Sequence, residues 1–101
     1  MGFERISVEK AREVIANDNA RVIDIRDPAS YEAGHIAKAE HISDENVEGF
    51  IQEADLTRPL VVCCYHGNMS QGAAEYFASK GFQQAYSIDG GYAAWQEADP
   101  E

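Results

Sequence analysis

Two periodicities take turns along the 101-residue chain. Short runs that are β-branched or apolar throughout give way to stretches in which apolar residues recur every three or four positions, and the breaks fall at Pro, Gly, Asn and Asp. Phe3-Glu4-Arg5-Ile6 alternates like a strand, and Ser7 follows as an N-cap, with Glu9 favouring the positive end of the helix it opens. Val8, Ala11, Val14 and Ile15 are spaced for one helical face, which Asn17-Asp18-Asn19 ends. Arg21-Val22-Ile23-Asp24-Ile25 reads as a strand stopped at Asp27-Pro28. Pro28 and Gly34 bracket a short helix over 29–33, and 39–42 suits a brief strand.

Asp44 is expected to cap a helix over 45–54, with Val47, Phe50 and Ile51 on one side and Thr57-Arg58-Pro59 after it. Leu60-Val61-Val62-Cys63-Cys64 is a continuous apolar run, the signature of a parallel strand covered on both faces. A polar loop over 65–69 follows. Ser70 then opens a helix carrying Ala73, Ala74, Phe77 and Ala78 in register and closed by Lys80-Gly81. Ala85-Tyr86-Ser87-Ile88 is a last strand, Asp89-Gly90-Gly91 a turn, and 92–98 a final helix anchored by Trp95. Strands alternating with helices predict an α/β fold with a largely parallel sheet and helices on both faces. A chain of this length builds one core, so 1–101 is expected to be a single domain without repeats or linkers.

Composition narrows the function classes. With 45% hydrophobic and 26% charged residues the chain is an ordinary globular domain, which excludes disordered and fibrous classes. Eighteen acidic against eight basic side chains give a net charge of −10, which would repel nucleic acid and anionic membrane surfaces. No apolar stretch approaches the roughly 18 residues of a membrane span, and the first residues lack a basic-then-apolar leader, so a cytoplasmic location is expected. Cys63 and Cys64 are adjacent, a poor arrangement for a structural disulfide, and are read as free thiols.

In a parallel α/β sheet, ligands bind beyond the carboxyl ends of the strands, and Cys64 ends a central one there. Cys64-Tyr65-His66-Gly67-Asn68-Met69-Ser70 puts a thiol at the mouth of a tight loop just before a helix N-terminus, where successive main-chain N–H groups favour negative charge. That environment suits a nucleophilic thiolate. Alternation along the strand sends Cys63 to the opposite face, into the core. The same divergence argues against a metal held by Cys63, Cys64 and His66, since no second cluster completes a tetrahedral set.

The neighbours keep two readings each. His66 is either a general base to the thiol or an exposed turn histidine, while His35 and His41 read as structural or exposed. Gly67 supplies the positive φ that a loop curling its amides inward needs, Asn68 can share left-handed geometry, and Ser70 either caps the next helix or touches substrate. Asp24 and Arg26, two apart at a strand end, are expected to form a structural ion pair.

Three segments carry a family resemblance: Asp24-Ile25-Arg26-Asp27-Pro28 with Tyr31 and Gly34-His35-Ile36; Cys64-Tyr65-His66-Gly67-Asn68 with Ser70 and Gly72-Ala73-Ala74; and Tyr86-Ser87-Ile88-Asp89-Gly90-Gly91 with Trp95. In these the chain resembles the single-domain rhodaneses, and among them the GlpE-type thiosulfate sulfurtransferases. The resemblance implies a rhodanese fold with a five-stranded sheet, a ping-pong reaction without a cofactor, and Cys64 as nucleophile. Cys64 would take the outer sulfur of thiosulfate as a persulfide, release sulfite, and pass the sulfur to a thiophilic acceptor such as cyanide or a dithiol, for instance thioredoxin. The loop residues Tyr65, His66, Gly67, Asn68, Met69 and Ser70 would bind the donor through their amides.

Met69 departs from the pattern, because many rhodaneses carry Arg, Thr or Ser at that position. A thioether supplies neither charge nor hydroxyl, so donor capture is expected to rest on backbone dipoles, to be weak for thiosulfate, and to leave room for another donor or acceptor. Related phosphatases and arsenate reductases need an arginine six residues after the cysteine, where this chain has Ser70. A non-catalytic binding module, as found among rhodanese-like domains that have lost the cysteine, is the remaining alternative, and here Cys64 is retained.

Overall fold

The computed structural model describes residues 2–98. Ten elements follow one another as β1 (Phe3–Ile6), α1 (Val8–Asn17), β2 (Arg21–Asp24), α2 (Pro28–Ala33), β3 (Glu40–His41), α3 (Val47–Glu53), β4 (Leu60–Cys63), α4 (Met69–Ser79), β5 (Ala85–Ile88) and α5 (Gly91–Ala98). The five strands form one sheet in the order β1-β5-β4-β2-β3, and all four pairings are parallel. The chain steps outward from β2 to β3 and then crosses back to β4 and β5. The strand order therefore reverses between β2 and β4, and a crevice opens beyond their carboxyl ends at that point.

Side-chain alternation divides the core into two layers. Val22, Val61, Cys63, Tyr86 and Ile88 face α1, where Val8, Ala11 and Val14 are buried, with Tyr31, Tyr92 and Trp95 packed against the same layer. Ile23, Leu60, Val62 and Ala85 face the other way, onto Phe50 of α3, Ala74 and Phe77 of α4, and Phe82. Phe77 sets its ring edge-on to Phe50 at 5.9 Å and to Phe82 at 5.6 Å. Every residue of β4 is buried, which is why its sequence shows no polar alternation.

Caps match the local sequence at two helices. The Ser7 side chain accepts the Lys10 N–H at the start of α1, and Asp27 does the same for Ser30 at the start of α2, whose first residue is Pro28. The expected cap at Asp44 does not form. The Asn46 side chain accepts the Ser43 N–H at 2.7 Å and the Ser43 hydroxyl accepts the Glu45 N–H at 3.2 Å, so 43–46 is a closed turn and α3 begins at Val47. The strand expected over 39–42 is reduced to Glu40–His41, an edge strand paired with Ile23 and Asp24 alone.

Two stability predictions follow from the layers. Phe77→Ala leaves a ring-sized void between α3 and α4 and is expected to cost about 3–5 kcal/mol in urea unfolding. Burial, reinforced by the nearby Asp24 charge, pushes the Cys63 thiol from an ordinary 9.0 up to about 12. The folded state then holds this proton more tightly than the unfolded chain, so the contribution is complete below pH 9 and is lost as pH rises towards 12. Urea titrations between pH 8 and 11 should show stability falling more steeply in the wild type than in Cys63→Ala, by about 2–3 kcal/mol over that range.

Candidate active site

Where β4 ends, the chain must turn sharply to enter α4, and Gly67 makes the turn with φ of 90°. A Cβ there would lie 2.7 Å from the Gly90 nitrogen and 3.0 Å from the Ile88 carbonyl oxygen, so both backbone geometry and space require glycine. With the chain reversed, the N–H groups of Gly67 and Ser70 both point back at Cys64 and donate to its Sγ at 3.2 Å. The sulfur sits on the floor of the loop, in a residue only 1% exposed, beside the first turn of α4. Two N–H dipoles and the first turn of α4 thus converge on one sulfur.

The vicinal thiol is held differently. Cys63 projects into the α1 layer and its Sγ–H donates to the Cys64 carbonyl at 3.6 Å. Adjacent cysteines thus occupy opposite faces and unlike environments, one met by two amides and the other packed in the α1 layer beside the Asp24–Arg26 pair.

Three supports hold the loop. The first turn of α5 docks on its backbone: the Tyr92 N–H donates to the Cys64 carbonyl at 2.8 Å and the Ala93 N–H to the Tyr65 carbonyl at 3.2 Å. This approach needs Gly91, where an added Cβ would lie 2.6 Å from the Cys64 oxygen. The Tyr65 hydroxyl donates to the Asp27 carboxylate and accepts the Asp27 N–H at 3.1 Å, tying the loop to the start of α2. Those bonds, with Ser30, hold the Asp27 carboxyl far below its usual range. Inside α4, the Gln71 amide donates to the Gly67 carbonyl at 2.9 Å, and the Ser70 and Ser87 hydroxyls share a buried hydrogen bond of 2.7 Å.

The Asp24–Arg26 ion pair forms as expected at the crevice. The Asp24 carboxylate accepts from the Arg26 guanidinium at 2.7 Å, and both side chains are buried. Arg26 also donates to the Gly34 carbonyl at 2.6 Å and lies 4.3 Å from the centre of the Tyr92 ring. Its hydrogen bonds to Asp24 raise its pKa above the usual arginine value. This cation braces β2, α2 and α5 against one another and is fully committed to that task.

Several sequence expectations meet different geometry. Asn68 is right-handed, with φ of −90°, because Gly67 alone absorbs the reversal. Ser70 lies one residue inside α4 and caps nothing; its hydroxyl belongs to Ser87 and its contribution to the loop is its N–H. Of the amides from Tyr65 to Ser70, those of Gly67 and Ser70 reach the sulfur. The Tyr65 side chain turns to Asp27, His66 is exposed, and Met69 is exposed at the start of α4. His35 stacks on Tyr31 with ring centres 3.9 Å apart, and His41 Nε2 meets the Arg26 carbonyl at 2.6 Å. The docking of α5, the Tyr65–Asp27 link and the Ser70–Ser87 bond join residues far apart in sequence. The signals available for them were the double glycine at 90–91 and a serine in the middle of a buried strand.

Comparison with known proteins converges on one family. The model of the rhodanese-like domain matches residues 7–98. The chain is 52% identical over 98 residues to a protein of Pseudomonas paraeruginosa named thiosulfate sulfurtransferase GlpE, covering 97% of this chain and 88% of that one. A protein of the same name from Pseudoalteromonas translucida is 43% identical over 101 residues, covering 100% and 96%. Among solved structures, a rhodanese-related protein from Thermoplasma volcanium superposes with a TM-score of 0.80 at 25% identity, covering 95% of this chain and 93% of that one. The human single-domain sulfurtransferase TSTD1 has the same fold, with a TM-score of 0.80 at 24% identity and coverage of 94% and 96%.

The geometry of the turn is open to a direct test. Gly67→Ala should lose about 1–3 kcal/mol of stability and slow iodoacetamide alkylation of Cys64 at pH 7.5, because the two amides no longer converge. Gly72→Ala, in an exposed stretch of α4 with open space around it, should leave alkylation unchanged and raise stability by about 0.5–1 kcal/mol. Peptide mapping of both should find the label on Cys64 and not on Cys63.

Proposed function

Because the chain belongs to the rhodanese-like family, we propose that it is a thiosulfate sulfurtransferase in which Cys64 carries the sulfur and residues 1–101 work as one domain. The observation that carries this reading is the Cys64 sulfur accepting N–H donors from Gly67 and Ser70 at the mouth of the crevice. The thiolate attacks the outer sulfur of thiosulfate, the S–S bond of the donor breaks, and sulfite leaves with the bonding electron pair. Cys64 is left as a persulfide anion, whose terminal sulfur then passes to a thiophilic acceptor and restores the thiolate. With cyanide as acceptor, atoms and charge balance in both half-reactions.

The loop amides serve both stages. They stabilise negative charge on sulfur before transfer and on the persulfide afterwards, in a site whose dipoles are already aligned. Tyr65, His66, Asn68 and Met69 form the rest of the donor's surroundings. Cyanide serves as a laboratory acceptor, and a small protein dithiol such as thioredoxin fits because its first thiol takes the terminal sulfur as a persulfide and its second displaces that sulfur as hydrosulfide, leaving the dithiol oxidised to a disulfide. No helix of the described residues is long and apolar enough to cross a membrane, and the net charge of −10 disfavours polyanionic partners, in keeping with a cytoplasmic enzyme.

The phosphatase alternative has little to stand on. Its loop needs a bidentate arginine where Ser70 is buried against Ser87, and Arg26, the buried arginine of the crevice, is engaged by Asp24 and Gly34. Aryl phosphate hydrolysis by the purified protein would favour it nonetheless.

Thiosulfate treatment should add about 32 Da to the intact protein, and cyanide should remove that mass with release of thiocyanate. Cys64→Ala should gain nothing. Equal labelling of Cys64→Ala would transfer the role to Cys63 and overturn the assignment.

A further inference from the structure

One face of α4 lies open beside the segments that leave β2 and β3. Between them runs a groove of about 550 Å³, walled by Met69, Ala73 and Phe77 on one side and by Ile25, Ile42 and Val47 on the other. The two most exposed large hydrophobic side chains among the described residues, Met69 at 55% and Tyr76 at 41%, both line it. Met69 and Phe77 are eight positions apart in α4, so the apolar wall is roughly 12 Å long, a little over two helical turns. Contiguous apolar surface left open in this way marks a place where a partner is received.

Charge says what kind of partner. At the turn of Ser43 and Asp44 the groove adjoins a hollow of about 490 Å³, lined also by His41, Glu45 and Asn46. Asp44 and Glu45 are exposed there, and neither carboxylate engages a cation among the described residues. Glu40 and Glu53, in contrast, are both held by Arg21. Neither Lys nor Arg lines the groove or the hollow, and Lys80 sits with its ammonium 5.5 Å from the Tyr76 ring, at the far end of α4. An apolar channel that ends in two unpaired acids, in a chain of net charge −10, is complementary to a segment that is apolar along one side and basic at one end. A second copy of this chain would bring ten negative charges against ten, and an anionic membrane is repelled in the same way.

We propose that this face docks a short, basic amphipathic helix of a partner protein. Apolar side chains at i, i+3, i+4 and i+7 of the incoming helix fill the groove along α4, and Lys or Arg at one of its ends meets Asp44 and Glu45. Burial of the apolar side chains supplies the affinity. The two acids set the orientation and reject acidic helices, which would leave four like charges facing one another. A contact two turns long covers less area than a standard stable interface, so the complex is transient and exchanges readily. The proposal does not depend on the chemistry of Cys64, because it uses surface outside the loop that holds the sulfur.

The probe is a synthetic helical peptide of about 12 residues with Leu at i, i+3, i+4 and i+7, Lys confined to one end and Gln elsewhere. Titrated into the isotope-labelled full chain at about 0.15 M salt, it should shift amide resonances of 42–47 and 69–77 along a saturable curve. Tyr76→Glu and Asp44→Lys should each weaken binding at least about tenfold, and so should replacing the peptide's Lys by Glu. Glu32→Lys alters the net charge by the same amount as Asp44→Lys at an exposed position of α2, and should weaken binding less than about twofold. Spectra of the free variants that match the wild type away from the substitution show that each is folded. Absence of saturation, shifts scattered over the acidic surface, or equal weakening by Glu32→Lys and Asp44→Lys overturns the proposal. A dimer of the free protein in sedimentation that Tyr76→Glu dissolves assigns the face to a second copy and overturns it as well.

Discussion

Everything at the crevice depends on one reversal of the backbone at Gly67. A parallel strand delivers its last residue to the edge of the sheet with carbonyls and amides pointing sideways, and it offers no means of surrounding that residue with donors. Reversing φ at a single position folds the next turn back over the strand end, so that the Gly67 and Ser70 amides meet on Cys64. The geometry tolerates no Cβ, and it also costs conformational freedom, so it must be held from outside. α5 supplies that hold through Tyr92 and Ala93, and it approaches closely enough because Gly91 too has none. Two glycines from distant parts of the chain thus close on each other around one thiol.

How far this was readable from the sequence depended on the range of the interactions. Strand β4, buried on both faces, announced itself by a run of apolar residues, and α1 by Ser7 and the spacing of Val8, Ala11 and Val14. These signals are local, and the elements appear where they place them. Cys64 just past the end of β4 and the left-handed turn at Gly67 follow from neighbours a few residues away. The turn over 43–46 defeated the expected Asp44 cap because the Asn46 side chain takes the Ser43 N–H and the Ser43 hydroxyl takes the Glu45 N–H first, a competition that cap preferences do not resolve.

Other features have no local signature. Tyr65 and Asp27 are 38 residues apart, and nothing in either segment names the other; only the adjacency of β2 and β4 brings their loops together. Ser70 looked like a cap because serine before a helical stretch usually is one. Its hydroxyl instead meets Ser87, a polar residue inside an otherwise apolar strand, and the pair satisfies both groups where neither reaches water. The position of Ser70 inside α4 then aims its N–H at the sulfur.

The distribution of charge connects the scaffold with the chemistry. Ten excess negative charges make the surroundings hostile to anions, yet the Gly67 and Ser70 amides aim their dipoles at the Cys64 sulfur. The cation of the crevice, Arg26, is spent on architecture: it joins Asp24, the Gly34 carbonyl and the Tyr92 ring, and so ties together the elements that flank the loop. What remains for the sulfur is a pair of fixed dipoles, which stabilise one localised charge well and discriminate poorly among the groups attached to it.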